Sequence, residues 1–384
     1  MSKTILYSLA FVALGLGSGS LGPTLPALAA QTHAEMHEIS TLFITRSLGT
    51  MLGSWMIGRF YDRIAGHPLL AASLFASAAA LALMPAATLL WALLLLSAFM
   101  GAASASINVG GNALIVIVHG QRVRPFMSTL HFAFGLGGFL APMLVAQVVD
   151  RADSLQITYW SLALMTIPVA LVTFLSPSPA LHPHRHSDSA APLPMLTITL
   201  FAFFFFLEVG AEAGVMGWCF SYAAERGMNS QTAAYMNSAF WAAFTTGRLA
   251  TIWLTTRFNA VTLIAAHLCA TVLIALVLLI FPPSPFGLWF GAIGLGLAVA
   301  PVFPNTFGFA QRVLGLSGKV TGYFLVGSAA GGMFWPWMIG QFFKSHGPQV
   351  MAWVVLFNLI GALATLTALV SQSSRGAIKV EAQS

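Results

Sequence analysis

Long apolar runs, punctuated by short polar clusters, cover almost the whole chain. Crossing the hydrocarbon of a bilayer takes about 20 residues at a helical rise of about 1.5 Å. Runs of that order fall at 5–30, 38–58, 68–85, 88–117, 126–148, 157–175, 194–223, 231–254, 260–281, 286–310, 320–342 and 349–370. The pattern predicts an all-α polytopic membrane protein with twelve transmembrane helices. Connections this short leave no room for a soluble domain among them. The longest polar connection, 176–193, is rich in Pro, His and Ser and leaves six runs on either side. It predicts two six-helix bundles, 1–175 and 194–384, joined by a flexible tether. The chain starts like a secretory signal, with Lys3 ahead of an apolar run. That run reaches Ala30, beyond the about 7 to 15 residues of a signal core, and so reads as the first span.

Composition strengthens this reading. Charged residues are 7% of the chain and apolar ones 58%, where soluble domains carry about 25% charge. A net charge of +6 could suggest nucleic acid, but the basic residues stand singly or in pairs between apolar runs. If the N-terminus is cytoplasmic, eleven Lys and Arg fall on that side and three, Arg151, Arg226 and Lys344, on the other. The positive-inside rule then predicts a multi-pass protein of the cell membrane with both termini and the tether cytoplasmic. The partners implied are the lipid bilayer and a small solute, with no nucleic acid, and a monomer suffices. Cys219 and Cys269 lie inside apolar runs, so no disulfide framework is indicated. His182, His184 and His186 alternate in the tether and read as solvated filler rather than a metal site. No nucleophile–base spacing or metal motif appears, so an enzyme is not expected.

The chemistry concentrates in the seventh run. Glu208 and Glu212 stand four apart, on one face of a helix and one turn from each other. An ionisable group inside a span costs about 2.5–3.5 kcal/mol on insertion scales and normally faces a protein interior or aqueous cavity. The pair is therefore a candidate for ion coupling; proximity to a membrane interface or simple pairing with a buried Arg are the competing readings. Arg46 lies about two turns into the second run. Opposite Glu208 or Glu212 it would neutralise a costly charge; alternatively it reaches the outer headgroups. Asn108 and Asn112, one turn apart in SINVGGNAL, could bind solute hydroxyls or glue helices together. His131 could bond a solute, shuttle a proton or merely pack. Asn305 follows Pro304 and Pro301 in AVAPVFPNTF, where proline-broken helix frees carbonyls beside an amide, as in a cavity wall or bend.

Between the second and third runs the chain reads Gly58-Arg59-Phe60-Tyr61-Asp62-Arg63-Ile64-Ala65-Gly66-His67. This resembles the loop signature of the major facilitator superfamily, with His67 where Arg or Lys is usual. The resemblance implies a cytoplasmic latch at Asp62 and Arg63, biasing the conformational equilibrium. Gly247-Arg248-Leu249 looks like a worn copy in the second half, which makes Arg248 a gating candidate. Three segments are similar to the fucose-permease-like and sodium-dependent glucose transporter group. They are Val209-Gly210-Ala211-Glu212 with Gly217-Trp218, Phe43-Ile44-Thr45-Arg46, and Phe240-Trp241 with Gly247-Arg248. The likeness adds Trp218 and Trp241 as candidates for stacking on a sugar ring, and ranks Glu212 above Glu208 as the coupling group. It implies the major facilitator fold and symport of a monosaccharide-like solute by alternating access. No cofactor is implied beyond the coupling ion, sodium or a proton. The alternative function is proton-coupled export of drugs or other amphiphilic solutes.

Overall fold

The computed structural model describes residues 2–61, 64–179, 194–281, 284–314 and 318–381. The latch candidates Asp62 and Arg63, and residues 180–193 of the expected tether, lie outside the described residues. All regular structure among the described residues is helical. Before the tether run α1 (Lys3–Gln31), α2 (Met36–Ile39), α3 (Thr41–Tyr61), α4 (Gly66–Leu83), α5 (Leu90–His119), α6 (Val123–Val148) and α7 (Ser154–Leu175). After it run α8 (Met195–Glu225), α9 (Ser230–Leu254), α10 (Ala260–Ile280), α11 (Pro285–Val299), α12 (Val302–Leu314), α13 (Gly318–His346) and α14 (Gln349–Glu381).

Among the described residues, nine helical segments are long and apolar enough to cross a membrane. The other three expected spans fall on α3, α9 and α13, of 21, 25 and 29 residues, long enough but richer in polar positions. Two expected spans are interrupted. The run at 38–58 is split at Ser40, because Glu35 and Glu38 close a capping box around the single turn α2. The run at 286–310 breaks between Val299 and Val302. Pro301 has no N–H to continue the ladder, and Pro304 withholds the next one.

Packing repeats itself on the two sides of the tether. Before it the main pairs are α1 with α6, α3 with α5, and α4 with α7. After it α8 packs with α13, α9 with α11 and α10 with α14, and α8 also packs closely on α14. Numbered by the spans expected from the sequence, one pairing recurs on both sides: first with fifth, second with fourth, third with sixth. The closest of these contacts depend on missing side chains. A Cβ on Gly15 would meet the backbone oxygen of Phe134, and one on Gly331 that of Phe206. Small residues thus bring α1 against α6 and α8 against α13 at backbone distance, the usual source of helix affinity in lipid.

Between the two sets the contacts run from α6 to α9, α3 to α13, and α1 to α8. They seal the face opposite the start of α1. There Lys344 Nζ lies 3.1 Å from Glu35 Oε1, and Gln341 donates to the His37 carbonyl at 2.8 Å. Gln147 on α6 donates to the Tyr235 hydroxyl at 2.6 Å.

Candidate functional site

A cavity of about 930 Å3 lies between the two sets of helices. Its wall takes Phe11 and Leu14 from the first half of α1, Met127, Ser128 and His131 from the start of α6, Thr251 and Thr255 from the end of α9, and Thr321 from the start of α13. Those helix ends all lie on the face where α1 begins. The cavity therefore reaches from mid-membrane to that face, and the polar contacts above close the other.

Three of the expected binding residues line it. Asn108 projects from α5, His131 from α6 and Asn305 from α12. His131 stands edge-on to the Phe11 ring, with centroids 6.2 Å apart. Asn305 donates its side-chain amide to the Pro301 carbonyl at 2.8 Å, which also accepts the Asn305 backbone N–H at 3.3 Å as α12 begins. Asn112 is not part of the lining. Its amide nitrogen donates to the Asn108 carbonyl at 2.9 Å and side-chain oxygen at 2.6 Å, so it braces Asn108 rather than presenting itself.

The two tryptophans are displaced from their expected role. Trp218 is 0% exposed, and its indole donates to the Pro336 carbonyl at 2.9 Å on the sealed side, between Phe43 and Phe343. Trp241 is buried where α6 meets α9, against Phe134 and Gly138. Neither offers a ring face to a solute in this conformation. Each packs where a glycine on the neighbouring helix makes room, Gly340 for Trp218 and Gly138 for Trp241.

The charged residues are paired differently from expectation. Arg46 finds no acid among the described residues; its guanidinium donates to the Gly17 carbonyl at 3.0 Å. Gly17 has no side chain to cover that carbonyl, so the arginine reaches α1 before it reaches α8. Arg248, expected at a gate, instead lines the cavity from within α9. Its Nη2 lies 3.6 Å from Glu212 Oε1, and the guanidinium sits 4.4 Å from the centre of the Phe244 ring. Glu212 is 14% exposed. Glu208, one turn earlier, is 0% exposed and neither carboxylate oxygen has a hydrogen-bond partner.

Positions 201, 205, 208 and 212 share one stripe of α8. Phe201 and Phe205 on it pack against Phe303, Phe309 and Phe324 of α12 and α13. This aromatic layer excludes water from the stripe that continues to the two glutamates. Asn358 on α14 is also fully buried, with both amide atoms lacking partners. An amide inside an apolar run is part of the signal that singled out Asn108 with Asn112, and it was readable at Asn358 as well. Glu212 and Arg248 were each legible as charges inside long runs, but their pairing was not.

Residues 7–336 match the sequence model of the Major Facilitator Superfamily. The chain belongs to that superfamily. Sodium-dependent glucose transporter 1 of Rattus norvegicus is 31% identical over 95% of this chain and 83% of its own length. Sodium-dependent glucose transporter 1A of Mus musculus is 29% identical over 92% of each. In fold, this superfamily member is similar to the nucleoside transporter NupG, with TM-score 0.73 at 16% identity over 97% of this chain and 99% of that one. It is also similar to a bacterial homologue of the human lysosomal transporter Spinster in an inward-facing and occupied conformation, with TM-score 0.75 at 12% identity over 97% and 95%. These relatives are membrane transporters and not enzymes, and this chain is likewise a multi-pass membrane transporter.

Proposed function

We propose that this transporter carries a monosaccharide-like solute by cation symport, with Glu212 as the coupling carboxylate. The observation that carries the reading is that Arg248, the charged residue of the cavity wall, is ion-paired with Glu212 behind it, among lining amides and hydroxyls. Amides and hydroxyls such as Asn108, Ser128, Thr245 and Asn305 suit a ligand made of hydroxyls that both donate and accept. A cation or proton that neutralises Glu212 changes the cost of enclosing the charge pair, which ties ion binding to closure. The relatives named as sodium-dependent glucose transporters support a sugar and make sodium a plausible coupling ion; a carboxylate serves a proton equally well.

The same reading takes twelve spans in two bundles, with α3, α9 and α13 crossing as well. It takes the face where α1 begins as cytoplasmic, from the excess of Lys and Arg there. The conformation described is then open inward, and solute is exposed alternately by rocking of the bundles around the cavity. The test is uptake by the full chain in proteoliposomes, with a panel of hexoses and separately imposed sodium and proton gradients. Glu212→Gln is expected to exchange sugar at equal concentrations on both sides but to lose gradient-driven accumulation. Normal accumulation by that variant would refute the assignment.

One observation favours a second reading, proton-coupled export of amphiphilic solutes. Phe11, Phe132, Phe303 and Phe307 give the cavity a broad apolar wall. Under that reading the liposomes extrude a hydrophobic cation in a proton gradient and accumulate no hexose.

A further inference from the structure

We propose that the solute is a sugar acid, a monosaccharide bearing one carboxylate, and that Arg248 is the group that binds this carboxylate. The inference rests on the sugar reading above and narrows its substrate class. Arg248 is the one charged side chain in the cavity lining among the described residues. Its guanidinium carries five N–H donors, yet it makes no hydrogen bond to any described residue. The Nε atom is buried without an acceptor. Glu212 comes within 3.6 Å of Nη2, close enough to compensate charge but beyond the roughly 2.7–3.2 Å of a hydrogen bond. The Phe244 ring, 4.4 Å away, supports the guanidinium by a cation–π contact.

The result is a cation that is oriented and charge-balanced but not hydrogen-bonded. Leaving the buried Nε donor without an acceptor is costly, and the rest of the fork faces the cavity, where a ligand can meet it. A carboxylate suits these donors best, because its two coplanar oxygens match the guanidinium fork. A single hydroxyl takes one donor and leaves the others unmet. A phosphorylated sugar would bring about two charges to a wall with one cation, so a monoanion is the better match.

The groups facing Arg248 agree with this assignment. His131 from α6 also lines the cavity; Glu212 and, one turn earlier, the buried Glu208 come from α8. A second carboxylate beside Arg248 would compete with Glu212 for it. Binding of a sugar acid is therefore stronger when Glu212 is neutral, which links anion and coupling cation through one guanidinium.

The test measures equilibrium binding of glucuronate and glucose to the purified full chain by calorimetry at pH 7, and counterflow of both in liposomes. The wild-type chain is expected to bind glucuronate about tenfold more tightly than glucose, as a charge-assisted bidentate pair implies. In Arg248→Gln the ratio of the two affinities falls to about one, and in Arg248→Lys it lies between. Glu212→Gln, which leaves Arg248 in place and removes its competitor, raises the ratio above wild type. That second variant keeps the proposal testable if substitution of Arg248 prevents folding. Equal or tighter binding of glucose, or a ratio of about one in Glu212→Gln, overturns the sugar-acid inference while sugar transport stands. If neither compound binds or exchanges, the sugar reading fails and this inference with it.

Discussion

Glu208 and Glu212 occupy one stripe of one helix, and their surroundings nevertheless separate them. Glu212 is 14% exposed and has Arg248, a residue of the cavity wall, as counter-ion. Glu208 is enclosed, and both of its oxygens lack partners. A buried polar group without a partner costs about 1–3 kcal/mol. Replacing Glu208 with an apolar side chain of similar length is therefore expected to stabilise the protein. Glu208→Leu should raise the apparent melting temperature in detergent by a few degrees. It should also lower the transport rate if Glu208 takes part when the cavity changes sides. Thermal unfolding and counterflow on the same preparation measure both; a lowered melting temperature would mean that the carboxylate has partners the described residues do not supply.

At the scale of elements, close approach rather than propensity decides the architecture. Gly15 on α1 lies so near α6 that a Cβ would meet the Phe134 backbone oxygen, and a backbone cannot swing aside as a side chain can. Gly15→Val is expected to abolish the monodisperse protein peak on size exclusion. Gly308 is the control. A Cβ there meets nothing within 4 Å, and alanine is favoured over glycine in a helix by about 1 kcal/mol, so Gly308→Ala should give wild-type yield. The break between α11 and α12 is decided locally instead, by Pro301 and Pro304. For that reason the bend beside Asn305 could be anticipated from the chain itself.

At the scale of the molecule, the polar contacts on the sealed face hold one conformation. The Glu35–Lys344 pair joins α2 to α13 and is exposed, so its contribution is small and screened by salt. The hydrogen bond and charge of Lys344 hold the Glu35 carboxyl below its ordinary range. The pair needs the ionised carboxylate, so it persists at pH above that lowered value and is lost only as pH falls through it. Glu35→Gln is accordingly expected to leave the shape of a transport–pH profile between pH 5 and 8 unchanged. It should speed opening of the sealed face modestly. Labelling of a cysteine introduced at Gln147, on the opposing α6 contact, measures the opening; a pH profile altered by Glu35→Gln would contradict this account.

The helical membrane class and the placement of nearly every helix could be read from the sequence, because the cost of exposing a backbone to hydrocarbon acts residue by residue along an apolar run. The coupling candidates were readable for the same reason, since a charge inside such a run stands out wherever it is. Partnership was not readable. Whether Glu212 meets Arg248 or Arg46, whether Trp218 stacks on solute or closes a seal, and whether Asn112 faces the cavity or braces Asn108 all depend on how helices distant in sequence are set against each other. Those settings come from glycines that admit backbone contact and from large rings that fill the space opposite. Their effect is a property of pairs of helices, so only the tertiary structure could decide them.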